Sequence, residues 1–562
     1  YGNAIGVPTV GGSVEFHDGY EGNPLVNVAC VGLVDEGRLV TAEAQAAGNK
    51  LVLVGNATGR DGLGGASFAS EDLAEDAETE DRPAVQVGDP YSEKLLIEAS
   101  EDLIDADLVQ SARDLGAAGL GGASSELVAK GGFGARIELD RVHQREPNMN
   151  ALEIVLAESQ ERMIYEVRPA DVDDVATVAE RYDLGCSVIG EVAEGNYICT
   201  FQGEPVVDAP AEFLADGAPM NDLDAVEPPE PERDRPEIDL ESAFEAVVGS
   251  PNTASKRWVY RQYDHEVGTR TALRPGDDAA IVALREAGTG LAVSAGAVPA
   301  WTDCAPYDGA RAVALENATN LAAKGATPLA AVDCLNGGNP ETPEVYGGFA
   351  AVVDGLADMC RALSVPVVGG NVSLYNDSVS GPIPPTPTLA MVGTKPGYDA
   401  PTAALDGNGV LLLVGAGSDA LGGSELLAQA GGTDRFPALP DTAPEVVATL
   451  ADVADADATL SVHDVSTGGL AVTLAELVTA DAGADVAVDD HVALFEETPG
   501  RAVVETTDPD GVAAAFEDVA PVTRLGTATD SGELSLVVGA EKLVADAGRI
   551  AELRNILEEA LD

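Results

Sequence analysis

Polar residues that follow short apolar runs are the parts of this sequence best suited to bind a phosphorylated ligand. Residues 51–55 (Leu-Val-Leu-Val-Gly) lead into a Gly-rich segment at 56–65. A strand that enters such a loop can present backbone N–H groups to a phosphate. Asp114 precedes Leu-Gly-Ala-Ala-Gly, and its carboxylate could bind Mg²⁺, which favours one or two carboxylates together with phosphate oxygens and water. A helix N-cap is the structural alternative for Asp114.

Two other motifs allow both a functional and a structural interpretation. Gln86 lies in Gln-Val-Gly-Asp-Pro, and its amide can donate to and accept from an amide or ribose ligand. Asp89, in the same motif, is typical of a helix N-terminus before proline, and we prefer that structural interpretation. Residues 415–420 nearly match a dinucleotide fingerprint. A helix-like run replaces the second strand that such a site requires, so we favour a tight strand–helix turn there.

A motif of mixed polarity precedes an apolar, strand-like run at 163–167. It contains Glu158, Ser159, Gln160 and Arg162. If the motif is extended, Glu158, Gln160 and Arg162 share one face, because strand side chains alternate. A carboxylate, an amide and a guanidinium on one face could hold a polyhydroxylated, phosphorylated substrate. A solvated strand face is the alternative.

The second half of the chain offers a comparable set of polar residues. Asp333 closes an apolar strand-like run, and Gly370, Asn371 and Ser373 follow another. Strand ends that open into Gly- and Asn-rich loops are where α/β folds place ligands. Asn371 can offer a carbonyl oxygen to Mg²⁺, and Ser373 can bond a phosphate or an amide. Two further acids at 277–278 follow Pro-Gly, and we interpret them as salt-adapted surface in preference to an auxiliary nucleotide pocket.

The composition excludes several classes of function. With 31 basic and 96 acidic residues, a net charge of −65, the chain repels nucleic acids and anionic membranes. The charges are dispersed and 45% of residues are hydrophobic, which predicts a folded, salt-adapted cytoplasmic protein. Scattered cysteines and histidines predict a reducing compartment and argue against a zinc site. The sequence has no nucleophile elbow or glutaminase-like Cys–His pairing, so any ammonia used in a reaction must come from elsewhere.

An internal duplication relates the two sets of motifs. Similar segments recur in the same order, offset by roughly 350 to 360 residues. For Asp464, the second-half match of Asp114, we keep the helix N-cap interpretation. The first copy has almost nothing before its Val-Pro-Thr-Val-Gly-Gly segment, so we expect the counterpart of roughly 240–360 to be missing from the N-terminus. The four matching segments are 5–12 with 364–370, 31–32 with 392–393, 51–55 with 411–415, and 114–120 with 464–470.

The elements that must position these residues predict an α+β organisation with a front and a rear part in each copy. Periodicity predicts strands at 51–55, 329–333, 365–368 and 410–415, and helices at 93–109, 310–324, 345–363, 418–430 and 540–561. The predicted domains are a front remnant (1–48), a first rear domain (49–215), an extended acidic, Pro-rich linker (216–240), a second front domain (241–400) and a second rear domain (401–562).

In the motifs described above, the sequence resembles the small-type synthetase subunit of phosphoribosylformylglycinamidine synthase. Matching motifs occur in family order over nearly the whole chain, at 1–12, 21–27, 59–62, 65–70, 86–90, 114–119, 158–163, 263–265, 369–375 and 382–385. Related ATP-using families share the architecture but not this set. The resemblance implies a duplicated α+β fold related to aminoimidazole ribonucleotide synthetase, with paired front domains and two flanking rear domains.

The resemblance also implies roles for individual residues. Gln86, Glu158, Ser159, Gln160 and Ser373 would contact the ribonucleotide, Asp333 and Gly370 would contact ATP, and Asp114 and Asn371 would ligate Mg²⁺. The family's general base belongs to the segment that we expect to be missing, so we assign no catalytic acid or base. For the same reason we expect this chain alone to be inactive, and to become active with ammonia and ATP in high salt once the upstream residues are restored.

The reaction that the resemblance implies is a ligase step of purine biosynthesis. ATP activates the amide oxygen of formylglycinamide ribonucleotide as an iminophosphate, and ammonia displaces phosphate to give the amidine. A separate glutaminase subunit and a small auxiliary subunit are the implied partners. One alternative is another ATP-using enzyme of the superfamily, a selenophosphate synthetase or a small-molecule kinase, against which the motif at 158–162 and the duplication argue. The other alternative is an inactive scaffold.

Overall fold

A computed structural model describes residues 2–63 and 88–562 of the chain, which divides into two compact units. The first unit consists of residues 1–7 and 30–222, and the second of residues 8–29 and 223–562. Among the helices described, none combines the length and the apolar composition needed to cross a lipid bilayer.

The described residues of the first unit form a seven-stranded sheet. Its strands are β1 (Lys50–Gly55), β2 (Val109–Asp114), β3 (Gly134–Glu138), β4 (Arg162–Val167), β5 (Gly185–Ala193), β6 (Tyr197–Phe201) and β7 (Glu204–Ala209). They run in the order β2-β4-β1-β5-β3-β6-β7. Side chains alternate along a strand, so Leu51 and Leu53 of β1 enter one hydrophobic core and Val52 and Val54 enter another. Both faces of the sheet are therefore covered.

Helices cover the two faces of this sheet. Those described are α1 (Gly2–Ile5), α2 (Pro90–Asp105), α3 (Gly119–Lys130), α4 (Ala151–Leu156), α5 (Val172–Arg181) and α6 (Ala211–Asp216). Helix α2 begins after Asp89, whose carboxylate accepts the N–H of Ser92 at 3.1 Å. The structural interpretation of Asp89 is confirmed. The predicted helix at 93–109 ends earlier, because Val109 already belongs to β2.

The front part of the second unit contains a six-stranded sheet in the order β12-β11-β15-β10-β9-β8. The strands of this part are β8 (Thr271–Leu273), β9 (Ala280–Leu284), β10 (Thr289–Gly296), β11 (Thr327–Asn336), β12 (Val367–Ser373), β13 (Asp377–Ser378), β14 (Gly381–Pro382) and β15 (Thr386–Pro396). Its helices are α7 (Leu240–Val248), α8 (Arg257–Tyr260), α9 (Pro299–Cys304), α10 (Pro306–Ala323) and α11 (Pro343–Ala362). The predicted helices at 310–324 and 345–363 are confirmed as α10 and α11.

Residues 8–29 lie along this front sheet and contain one short 3-10 helix, Asp18–Tyr20. The backbone N–H of Thr9 donates to the carbonyl of Asp264 at 3.0 Å. Further along, the side-chain amide of Asn27 donates to Asn336 Oδ1 at 3.1 Å and to Thr388 Oγ1 at 2.9 Å. These polar contacts fix the segment against β11 and β15.

The rear part of the second unit repeats the sheet of the first unit. Its strands are β16 (Val410–Val414), β17 (Thr459–Val465), β18 (Gly483–Val488), β19 (Arg501–Thr506), β20 (Val522–Thr529), β21 (Glu533–Val538) and β22 (Glu541–Asp546). They run in the order β17-β19-β16-β20-β18-β21-β22. Strand β16 thus occupies the position of β1, and β19 that of β4. Two seven-stranded sheets with equivalent strand orders support a duplication.

Two element predictions for this rear part are wrong. Its helices are α12 (Glu425–Ala430), α13 (Ala443–Ala454), α14 (Gly469–Leu477), α15 (His491–Phe495), α16 (Pro509–Ala515), α17 (Ala547–Leu553) and α18 (Ile556–Leu561). The helix predicted at 418–430 begins only after Ser424, whose hydroxyl accepts the N–H of Leu427. The stretch at 540–561 is not one helix, because residues 541–546 pair with β21 as strand β22.

The segment that joins the two copies is extended and is held by ion pairs. Arg233 Nε donates to Asp434 Oδ1 at 2.9 Å, and Arg235 Nε donates to Asp434 Oδ2 at 2.7 Å. The side chain of Asp434 has no exposed surface. Between the arginines, Asp234 exchanges two backbone hydrogen bonds with Thr433, at 2.7 and 2.9 Å. The linker is therefore an ordered strap on the second unit.

Candidate functional site

The predicted ribonucleotide motif forms a loop before β4 in the first unit, and Glu158 joins it to two neighbouring loops. The N–H of Glu158 donates to the carbonyl of Asp61 at 2.8 Å. Its carboxylate accepts the N–H of Ala118 at 3.2 Å. Glu158 as a whole is half-buried.

Asp114 ends β2 at the start of the same turn that contains Ala118. The N-cap of α3 is Ala118 and has no side-chain capping bond. The N-cap alternative for Asp114 is therefore wrong. The side chain of Asp114 is exposed, and an exposed carboxylate at a turn of small residues suits a hard oxygen-seeking cation.

Ser159 is buried in the middle of the loop. Its hydroxyl accepts the N–H of Gly59 at 2.9 Å and contacts the carboxylate of Asp61. The serine thus fastens the loop at 157–161 to the Gly-rich loop at 56–62. Gln160 follows and is half-buried, whereas Gln86 lies outside the described residues.

The prediction that Arg162 shares a face with Glu158 and Gln160 is wrong. Glu161 has a φ of 58°, a left-handed conformation that interrupts an extended path. As a result the side chain of Arg162 points inward and the residue is only 3% exposed. Burial lowers the pKa of Arg162 to about 10. Sequence periodicity could not show this, because it presupposes an unbroken strand.

In the second unit, Asp333 and Gly370 lie opposite each other on the parallel strands β11 and β12. The sequence predicts Asp333 at the end of a strand, but the residue lies within β11. A Cβ at position 370 would lie 1.8 Å from Asp333 Oδ1, so the carboxylate extends over the glycine backbone. Partial burial raises the pKa of Asp333.

Asn371 and Ser373 belong to β12 itself and not to a loop after it. Because side chains alternate along a strand, both lie on the face opposite to that of Asp333. In register they stand beside Cys334 and Asn336, so Ser373 is next to the residue that binds Asn27. β12 is the edge strand of its sheet, and Asn371 is exposed.

A buried ionic cluster overturns the interpretation of residues 277–278 as salt-adapted surface. The side chain of Asp278 has no exposed surface, and neither has that of Lys324. Lys324 Nζ lies 3.2 Å from Asp278 Oδ2 and also contacts Asp277. His463 Nδ1 lies 2.5 Å from Asp278 Oδ1. The two acids are paired inside the protein.

Asp464 joins this cluster and is not a helix N-cap, because α14 begins after Gly468. His463 lies 3.3 Å from Asp464 and 2.7 Å from Glu476. Burial opposes a charge on His463, but the surrounding carboxylates outweigh burial and hold its pKa well above the usual range. Asp278, His463 and Asp464 each offer a ligand atom within 4.8 Å of the others. A protonated His463 and Lys324 already supply positive charge there.

The second unit also contains a more buried counterpart of the loop that contains Glu158. Glu497 precedes β19 as Glu158 precedes β4, and it accepts the N–H of Gly468 at 2.7 Å, as Glu158 accepts that of Ala118. Glu497, however, is only 1% exposed and also accepts the indole N–H of Trp301 at 3.0 Å. Burial raises the pKa of Glu497 to about 8. Of the two matching glutamates, only Glu158 is partly exposed.

Two family models match the chain, each in two places. The model for the AIR synthase related protein, N-terminal domain, matches residues 1–34 and 276–394. The model for the C-terminal domain of the same protein matches residues 46–200 and 407–539. The double matches agree with the repeated sheets and show that the chain is internally duplicated.

Curated relatives cover the whole chain. Phosphoribosylformylglycinamidine synthase subunit PurL of Natronomonas pharaonis is 74% identical over 100% of this chain and 79% of its own length. The chain belongs to the PurL family. The PurL of Haloquadratum walsbyi is 71% identical with the same coverage, and that of Methanosarcina barkeri is 48% identical over 92% of this chain and 75% of its own length.

Solved structures of a PurL protein share the fold. Thermotoga maritima PurL complexed with FGAR is 31% identical, with a TM-score of 0.74 over 94% of this chain and 79% of that one. The same protein complexed with ATP is 29% identical, with a TM-score of 0.72 over 94% and 78%. The predicted α+β fold, duplicated and related to aminoimidazole ribonucleotide synthetase, is confirmed.

Proposed function

We infer that this chain is the ligase subunit that uses ATP to convert formylglycinamide ribonucleotide to formylglycinamidine ribonucleotide in purine biosynthesis. Identity of 74% to a PurL relative over the whole chain supports this function, as does the likeness to PurL structures that contain FGAR or ATP. Within the molecule, the observation that supports this function is the difference in exposure between two matching glutamates. Glu158 is half-buried, whereas Glu497 is fully buried.

For the first unit we propose that Glu158, Ser159 and Gln160 bind the ribonucleotide, together with Gln86. Ser159 ties this loop to the Gly-rich loop, so the binding groups are held in place before the ligand arrives. Asp114 is proposed as a Mg²⁺ ligand, because its carboxylate is exposed on the turn that contacts Glu158. When bound, Mg²⁺ would neutralise phosphate charge.

For the second unit we propose that Asp333 and Gly370 contact ATP and that Asn371 ligates Mg²⁺. Glycine at 370 leaves room for the Asp333 carboxylate over the strand, and Gly370 and Asn371 are exposed on the edge strand β12. Ser373 is proposed as a ribonucleotide contact. Its hydroxyl accepts the side-chain amide of Asn376 at 3.1 Å, which orients the oxygen.

The chemistry requires activation of an amide. The amide oxygen attacks the γ-phosphorus of ATP, ADP leaves, and the amide nitrogen loses its proton to give an iminophosphate. Ammonia then adds to the carbon of the activated amide, phosphate leaves, and the amidine forms. The protein contributes position and charge stabilisation, which dominate catalysis of phosphoryl transfer.

The partners follow from the need for ammonia. We propose that a separate glutaminase subunit supplies it and that a small auxiliary subunit completes the complex in the cytoplasm. The solved structure of PurLQS from Thermotoga maritima supports a multi-subunit synthase.

A matched pair of variants tests the function. The natural gene product, in concentrated potassium chloride with ammonium chloride, ATP and formylglycinamide ribonucleotide, should form ADP and amidine together. Glu158→Gln should raise the KM for the ribonucleotide about tenfold, the cost of one charge-assisted hydrogen bond, whereas Glu497→Gln should leave it unchanged. ADP formed without amidine would favour the kinase alternative, and equal KM values for both variants would reject the assigned loop.

A further inference from the structure

We propose that Arg162 is the positioning residue of the ribonucleotide loop. This inference rests on the function proposed for the first unit and adds to it a residue that does not itself face the ligand. Arg162 is buried, and it lies at the start of β4, directly after the loop that contains Glu158 and Ser159.

The guanidinium of Arg162 holds both sides of the loop. Its Nε donates to the backbone carbonyl of Ser159 at 2.6 Å, and one terminal nitrogen donates to the carbonyl of Ala157 at 2.6 Å. The other terminal nitrogen donates to Thr58 Oγ1 at 3.0 Å. The planar fork of a guanidinium can reach three acceptors in fixed geometry. Thus one side chain sets the spacing between the ribonucleotide loop and the Gly-rich loop.

The shape of the loop makes this support necessary. Glu161 adopts a left-handed conformation with a φ of 58°, which is costly for a residue with a Cβ. The carbonyl of Glu161 turns toward β1, where it accepts the N–H of Asn56 at 2.9 Å. Arg162 satisfies the buried carbonyls of Ala157 and Ser159, and buried carbonyls without donors destabilise a loop. The guanidinium of Arg162 therefore stabilises the strained turn at Glu161.

The second unit contains a similar arrangement, in which the third contact of the guanidinium of Arg501 is an ion pair with the carboxylate of Glu496. Arg501 Nε donates to the carbonyl of Thr498 at 3.0 Å, and a terminal nitrogen donates to the carbonyl of Glu496 at 2.6 Å. Gly500 takes the left-handed position, with a φ of 80°. The chain thus provides an internal control, because Arg501 performs the structural task of Arg162 beside the sealed carboxylate of Glu497.

The experiment compares Arg162→Lys with Arg501→Lys in the natural gene product. Lysine keeps the charge, but a single ammonium cannot reproduce the three-pronged contact. We expect R162K to raise the KM for formylglycinamide ribonucleotide at least about tenfold, since small misplacements of binding groups are costly. The KM for ATP should stay within about twofold of the wild-type value. R501K should leave both KM values unchanged, although both variants should lower the unfolding midpoint.

The outcomes separate the inference from the function on which it rests. If R162K lowers only the unfolding midpoint, as R501K does, Arg162 is merely structural and the inference is overturned. If E158Q also leaves the KM unchanged, the loop itself is wrongly assigned. Should R162K not fold, Thr58→Val removes one of the three contacts with little change in volume. It should raise the same KM about threefold, and an unchanged KM would again reject the proposal.

Discussion

At the residue scale, two adjacent glycines on β12 differ in what surrounds them. A Cβ at position 370 would lie 1.8 Å from Asp333 Oδ1, whereas a Cβ at 369 would have its nearest neighbour, Val332 Cγ1, at 3.9 Å. The first distance is impossible and the second is an ordinary contact. Of these two positions, only position 370 therefore requires glycine for the Asp333 carboxylate to stay where it is.

The variant Gly370→Ala should therefore displace the Asp333 carboxylate and weaken ATP binding. We expect the KM for ATP to rise about tenfold, equivalent to the loss of one hydrogen bond to a charged group. Gly369→Ala is the matched control and should change this KM by less than about twofold. Equal effects of the two variants, measured by steady-state kinetics, would contradict a role for Asp333 at ATP.

Glu497 predicts a pH dependence of stability. Burial raises the pKa of Glu497 from 4.5 to about 8, so between these values the folded chain holds a proton that the unfolded chain has lost. The free energy of unfolding therefore falls as the pH rises through this window, by up to about 1.4 kcal/mol per pH unit. Glu497→Gln removes the titration. Its urea-unfolding free energy should fall less steeply than that of the wild type between pH 5 and 8, and parallel profiles would disprove the expectation.

At the element scale, the two copies place the same strands and loops around one central strand but use them differently. β1 is flanked by β4 and β5, and β16 by β19 and β20. In the loop before β4, Glu158 is half-buried, whereas in the loop before β19 the carboxylate of Glu497 accepts the indole N–H of Trp301. One residue from the front part of the second unit thus binds the carboxylate whose counterpart in the first unit is partly exposed.

The strap between the copies gives a prediction at this scale. Removing both arginines in Arg233→Ala/Arg235→Ala leaves the buried carboxylate of Asp434 without its two charged partners and with only the backbone N–H groups of Leu421 and Arg435, which destabilises locally. Hydrogen–deuterium exchange at the Asp234 and Thr433 amides should become at least about tenfold faster.

The control for the strap is Arg361→Ala. Arg361 pairs with Asp358 on the exposed surface of α11, and such pairs contribute little. Exchange at Asp234 and Thr433 should stay at the wild-type rate in this variant. Unchanged exchange in the double variant would show that the backbone hydrogen bonds alone hold the strap.

At the scale of the whole molecule, the net charge of −65 dominates the response to solvent. Like charges repel in the compact state, and salt shortens the range of that repulsion to roughly 3 Å at 1 M. The thermal unfolding midpoint should therefore rise by at least about 10 °C between about 0.1 and 1 M potassium chloride. Sucrose, which does not screen charge, is the control. A similar rise with sucrose would assign the effect to exclusion from the surface.

The sequence by itself determined the duplication, the α+β class and the principal elements of both copies. Apolar runs predicted the central strands β1 and β16, and periodicity predicted α10 and α11, because these signals lie within a few consecutive residues. The family motifs also singled out Glu158, Ser159, Asp333 and Gly370. Their roles as ligand contacts stay predictions.

Only the tertiary structure decided which polar side chains are buried and what they contact. Asp278 became an interior acid because Lys324 and His463 reach it from distant parts of the chain. Arg162 turned inward because Glu161 adopts a left-handed conformation. Burial of a charge depends on partners far apart in sequence, and a local pattern contains no information about which partners will arrive.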